Sequence, residues 1–162
     1  MEPRVDYQRA FPEGVQGMLH LEAIIRRSGL EPLLYELVKI RTSQLNGCSY
    51  CIDMHTKDAR AKGETEQRIY ALSAWQEGPF FTERERAALA WTEAITNIQD
   101  GHASEEVYVQ ARLQFTAEEL AKLTFAITQI NSWNRIAIAF RPEVGGYQPQ
   151  PHAVAAASAA KG

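Results

Sequence analysis

Apolar residues recur along this chain at intervals of three and four, with polar residues between them. From Gly14, the positions Val15, Met18, Leu19, Leu21, Ile24 and Ile25 fall on one helical face, which ends near Ser28-Gly29. Glu31-Pro32 opens a second helix, since proline is tolerated in a first turn. Leu33, Leu34, Leu37, Val38, Ile40 and Leu45 carry it to Asn46-Gly47, a strong stop signal. A third helix runs from Tyr50 to Lys62-Gly63, and a fourth from Thr65 to Trp75, closed by Gly78-Pro79. Thr82-x-x-Glu85 is a capping box ahead of a fifth helix through Ala87, Leu89, Trp91 and Ile95. Ser104 begins a sixth through Val107, Tyr108 and Leu113. Thr116-x-x-Glu119 is a second capping box, and the helix after it reaches about Phe140. No segment keeps a period of two, so the expected fold is all-α, with about seven helices. Residues 1 to 13 carry two prolines and read as an irregular lead-in. A single domain is expected over 1–145, followed by a tail over 146–162 rich in proline and alanine.

Composition narrows the functions without choosing one. The chain has 162 residues, 45% of them hydrophobic and 23% charged, the profile of one globular domain with a real core. A formal net charge of −3 leaves no basic footprint, so nucleic acid is not the expected partner. No apolar run approaches the ~20 residues that span a bilayer, so no membrane partner is expected. The charged start, Met1 to Asp6, lacks the apolar stretch of a signal peptide. A cytoplasmic setting follows by default, and there a Cys-x-x-Cys pair is redox-active or metal-binding rather than a permanent disulfide.

That pair is the chemical signal of the chain. Both cysteines lie in Asn46-Gly47-Cys48-Ser49-Tyr50-Cys51-Ile52-Asp53-Met54-His55. Gly47 permits a turn, so the pair is expected at a helix start, where free N–H groups and the macrodipole favour a thiolate. Cys51 and His55 are four residues apart, one above the other on one helix face. A helix dipole supplies about 0.3–1 kcal/mol, less than one pKa unit, whereas a contacting imidazole lowers a thiol by more. Cys51 is therefore the expected attacking sulfur, and Cys48 the one that resolves its sulfenic acid into a disulfide. Glu36 shares an apolar face with Leu33 and Ile40, where a carboxylate needs a partner, and it is the candidate to orient His55. Two other readings of the cysteines stand beside this one. They would be a pair of small buried hydrophobes, or a zinc site from Cys48, Cys51, His55 and Glu36 or His20, although no second short-spaced Cys/His pair exists. Trp75, Trp91 and Trp133 read as core or subunit-interface anchors. Asn131 and Asn134 need hydrogen-bond partners if buried.

Glu36, Cys48, Cys51 and His55 form a Glu-x11-Cys-x2-Cys-x3-His pattern. With the run Leu37 to Gly47, it resembles the AhpD-like alkylhydroperoxidases of the carboxymuconolactone decarboxylase superfamily, specifically over about residues 31 to 75. The resemblance implies an all-helical subunit assembled as trimers or hexamers. It also implies a cofactor-free cycle that reduces a hydroperoxide and is regenerated by an external dithiol or redox protein. Carried over, Cys51 would attack the peroxide, Cys48 would donate a proton and resolve, and Glu36 with His55 would relay protons. Tyr50 departs from the pattern, because the best-studied members carry histidine there. Tyrosine titrates near 10 and takes no proton at neutral pH. Rival functions on the same fold are a redox sensor or scaffold oligomer and a carboxymuconolactone decarboxylase-type enzyme.

Overall fold

The computed structural model describes residues 2–149, which are all-helical with no strand among them. Eight α-helices follow in order: α1 (Tyr7–Ala10), α2 (Pro12–Arg26), α3 (Pro32–Asn46), α4 (Ser49–Ala61), α5 (Glu66–Ala71), α6 (Glu83–Thr96), α7 (Glu105–Gln114) and α8 (Ala117–Phe140). Short 3-10 turns at Leu72–Ala74 and Ile98–Asp100 follow α5 and α6.

Two expectations need correction. The lead-in over residues 1 to 13 is not wholly irregular: Asp6 caps the single turn of α1 by accepting from the Arg9 N–H, and α2 begins at Pro12. A four-residue helix that buries nothing leaves no periodic signal, so eight helices stand where about seven were expected. The fourth expected helix also tightens after Ala71 into a 3-10 turn before Trp75. The part of the expected tail from residue 150 onward lies outside the described residues.

Helix α3 is the axis of the molecule, packed against α4, α6 and α8. Every residue from Leu34 to Ile40 is buried, including Glu36 and Lys39, as expected of a helix with neighbours on all sides. One of its flanks joins Leu34 and Val38 to Trp91, Phe115, Leu123 and Ile127. The other joins Leu37 and Ile40 to Ala59, Leu72, Trp75 and Leu89. Both capping boxes close as the sequence predicts: Thr82 with Glu85 and Thr116 with Glu119 exchange side-chain and backbone bonds.

The α3–α4 corner places the cysteines. Gly47 caps α3 at φ +68°, a left-handed conformation that side-chain-bearing residues rarely adopt. The Gly47 and Cys48 N–H groups bond back to Gln44 and Ser43 carbonyls, which turns the chain directly into α4. Because α4 packs back against α3, Glu36 near the start of α3 meets His55 in the middle of α4.

Candidate active site

Cys48 is the N-cap of α4, and its sulfur accepts the Cys51 N–H at 3.4 Å. The two sulfurs lie 2.7 Å apart as free, buried thiols, packed with Ile130 and Ala137 of α8. Whichever thiol keeps its proton bonds the one that loses it. Contact with Cys51 is the largest influence on Cys48 and, against burial, lowers its pKa to about 7, aided by the Cys51 and Tyr50 N–H groups and the Asn134 side chain. Cys51 is pushed up, first by the neighbouring Cys48 and then by burial. The first negative charge therefore sits on Cys48, at the helix terminus.

Asn134 is fully buried and donates to the Ser43 hydroxyl at 3.0 Å. The Asn46 amide donates to the carbonyl oxygens of both Asn131 and Asn134 at 2.9 Å. Asn131 in turn reaches Thr96. The two asparagines thus find the partners that burial demands, and they tie α8 to the α3–α4 corner beneath Cys48.

His55 and Glu36 meet across α3 and α4, with Nδ1 2.9 Å from Oε2. The other oxygen, Oε1, takes the ammonium of Lys62, from the end of α4. Burial pushes the Glu36 carboxyl up, but the His55 and Lys62 contacts outweigh it and hold it down at about 2. Burial, with the charge of Lys39 nearby, pushes the His55 imidazole below its ordinary value despite the pull of Glu36. His55 is thus neutral at pH 7 and donates its Nδ1 proton to a charged carboxylate, leaving Nε2 as the acceptor.

His55 hydrogen-bonds Glu36 and, among the described residues, neither sulfur. The nearest acceptor for the Cys51 proton is Cys48, rather than the imidazole expected to take it directly. His55 and Cys51 instead share a cavity of about 290 Å³ between α1, α2, α3, α4 and α8, with Tyr50, Met54, Ile130 and Trp133 on its walls. Cys48 lines a different cavity of about 580 Å³, beside Pro3, Ile138 and Arg141. Tyr50 and Ala137 form the wall between the two.

Among the described residues, Glu36, His55 and Asp58 are the three potential metal ligands whose donor atoms gather, within 4.8 Å of one another. Neither sulfur joins them, and Lys62 already occupies Glu36, so the donor set of the expected zinc alternative does not assemble. His20 is exposed on α2 and is not among these gathered donors. Trp75 and Trp91 are core residues, whereas Trp133 is a cavity wall.

Sequence reasoning missed Glu22 and Lys39. Lys39 is only 1% exposed, and its ammonium is paired with Glu22 of α2 at the edge of the Cys51 cavity. A signal existed: Lys39 interrupts the apolar run Leu37, Val38 and Ile40, and charge on an apolar helix face implies a partner.

Residues 11–94 match the model of the carboxymuconolactone decarboxylase family. The chain is similar to the uncharacterized protein YdfG of Bacillus subtilis, at 48% identity over 139 residues, covering 86% of this chain and 95% of that protein. It is also similar to a crystal structure of ATU0492 from Agrobacterium tumefaciens, a protein of unknown function whose description connects it with the antioxidant defence protein AhpD. That match has a TM-score of 0.87 at 42% identity, covering 89% of this chain and 99% of that one. A shorter stretch of 47 residues is 40% identical to the alkyl hydroperoxide reductase AhpD of Acidobacterium capsulatum, covering 29% of this chain and 26% of that protein. No helix among the described residues is long and apolar enough to cross a membrane.

Proposed function

The chain belongs to the carboxymuconolactone decarboxylase family, in its AhpD-like branch, and from that premise we propose that it is a thiol-dependent peroxidase. The observation that carries this reading is the Cys48–Cys51 pair: two free thiols 2.7 Å apart at a helix N-cap, one of them opening on a cavity shared with a histidine.

In the proposed cycle the resting charge is on Cys48. As a hydroperoxide enters the Cys51 cavity, the Cys51 proton passes to Cys48. The Cys51 thiolate then attacks the terminal peroxide oxygen, and the O–O bond breaks. The departing alkoxide takes the Cys48 proton and leaves as an alcohol, so Cys51 carries a sulfenic acid and Cys48 is again a thiolate. Cys48 attacks the Cys51 sulfur and forms the disulfide, and the hydroxide released leaves as water after gaining a proton. His55, oriented by Glu36, has its Nε2 free to receive and return protons within the cavity. Two thiols of an external dithiol or redox protein then restore the pair by exchange. The subunits are proposed to associate through apolar side chains left exposed, among them Leu19, Leu113 and Phe125.

The test is peroxide consumption with a dithiol reductant, comparing the wild type with Cys51→Ser. Turnover in the wild type that is lost in the variant supports the reading. Equal consumption by both ends it, and no consumption by either favours a redox sensor built on the same pair.

A further inference from the structure

Lys39 is a lysine in the middle of the central helix, with almost no access to water. Its ammonium contacts Glu22 Oε1 and lies 4.2 Å from the centre of the Tyr35 ring. The same Glu22 oxygen accepts from the Tyr35 hydroxyl at 2.6 Å and from Arg26 Nε at 3.1 Å. These contacts hold the Glu22 carboxyl down at about 2 in spite of burial, so it stays charged opposite Lys39. An ion pair this deep is costly to desolvate, and a core of this size does not need it for stability.

Its position relative to the sulfurs gives it a role. Glu22, Arg26 and Lys39 line the cavity that Cys51 and His55 share. The buried ionised side chains there are Lys39 and Glu22, and Arg26, which also bonds Glu22, is nearly half exposed to solvent. Tyr7 from α1 and Tyr50 from α4 are neutral, both raised chiefly by burial, and α8 contributes Ile130, Trp133 and Ala137, none of them ionisable. Behind His55 lie two carboxylates, Glu36 paired with Lys62 and Asp58 accepting from the Tyr147 hydroxyl. Lys39 is therefore the buried cation of the cavity that Cys51 lines.

We propose that Lys39, held in place by Glu22, is the counter-charge of the Cys48–Cys51 pair: a positioning residue that stabilises the thiolate and so sets both thiol acidity and reduction potential. In a site shielded from water one ammonium acts strongly on a nearby sulfur. The charge of Lys39 lowers the Cys51 thiol, opposing the upward push of Cys48 and burial. Closing the disulfide converts one thiolate and one thiol into an S–S bond, two electrons and one proton. The oxidised site thus loses the negative charge that Lys39 favours, and the ammonium biases the pair towards its reduced form.

The proposal rests on the cysteine pair being the reacting group, not on a peroxide as its oxidant, and the test reads the thiols directly. Lys39→Met, Lys39→Arg and the double variant Glu22→Gln/Lys39→Met are compared with the wild type for alkylation by iodoacetamide across pH and for reduction potential in a glutathione buffer. The double variant replaces the ion pair by neutral groups of similar shape, which keeps the test available if Lys39→Met leaves Glu22 stranded and fails to fold. Lys39→Met is expected to alkylate about fivefold more slowly at pH 7, the effect of moving a thiol of pKa about 7 up by one unit. Lys39→Arg should restore the profile, and the double variant should lie between the two. Reduction potential should fall in the same order, by about 30 mV for a tenfold change in the equilibrium. A folded Lys39→Met or double variant that keeps the wild-type alkylation profile and potential overturns the assignment. If these shifts occur in a protein that consumes no peroxide, the assignment stands and the peroxidase reading alone is lost.

Discussion

His55 and Glu36, nineteen residues apart in sequence, meet with Nδ1 2.9 Å from Oε2 inside the α3–α4 pair. Each is almost inaccessible to solvent, and each fixes the state of the other. The carboxylate accepts the Nδ1 proton, which leaves Nε2 basic, and the imidazole helps keep the buried carboxylate charged.

Glu36→Gln tests this pair through stability. The variant keeps the shape of the side chain but leaves Lys62 without its buried counter-charge. Removing one member of a buried pair costs about 3–5 kcal/mol, with the lower end expected here because Lys62 is partly solvated. The Glu36 pKa is depressed, so its contribution is complete above 4.5, the ordinary carboxyl value, and is lost as pH falls towards 2. Urea unfolding should show a wild-type advantage that narrows through that window. An advantage unchanged between neutral pH and about pH 3 contradicts the account.

His55→Gln should flatten a different part of the same curve. The native imidazole titrates below 6.5 because it is buried, whereas the unfolded chain takes up its proton near that value. Stability should therefore drop as pH falls below 6.5, by at most about 1.4 kcal/mol per pH unit for one proton. The variant should lack this component, which urea midpoints between pH 7 and 5 will show.

The order of the two sulfurs can be read by labelling. Cys48→Ser removes the thiol that titrates at about 7. Cys51 alone should then alkylate with a pH profile moved to higher pH, and peroxide treatment should leave a sulfenic acid that dimedone traps. In Cys51→Ser the remaining Cys48 loses the contact that lowers its pKa most, so its alkylation profile should move above the wild-type one while the helix-terminal N–H groups still favour its thiolate. A mass spectrum with no dimedone adduct in the Cys48→Ser protein would reverse the assigned order.

Gly47→Ala places a Cβ on a residue at φ +68°. Nothing lies within 4 Å to clash, so the cost is conformational, about 1–2 kcal/mol. Because the same residue turns the chain into Cys48, the variant should also raise the thiol pKa by loosening the N-cap. Thermal unfolding and the alkylation profile measure the two effects. A stability loss with an unmoved thiol would show that the cap survives without glycine at this position.

Much of the architecture was legible because it is local. Capping boxes at Thr82 and Thr116, the stop at Asn46-Gly47 and the spacing of Leu34, Leu37 and Val38 act over a few residues, and each element they define is present. The turn at Tyr7–Ala10 was not legible, because it buries no side chain and so imposes no pattern.

The dithiol at a helix start belongs to the sequence: Cys-x-x-Cys after a helix-ending glycine puts both sulfurs on the first turn of α4 whatever surrounds them. Which sulfur carries the charge did not. Spacing places His55 above Cys51, but whether an imidazole meets a thiol or turns to a carboxylate depends on what the next helix offers, and α3 offers Glu36. The burial of Lys39 against Glu22 was equally undetermined, since it joins α2 to α3 across seventeen residues. Periodicity reports the face on which a side chain lies. Electrostatics inside a protein depends on distances between faces, and those exist only once the helices have packed.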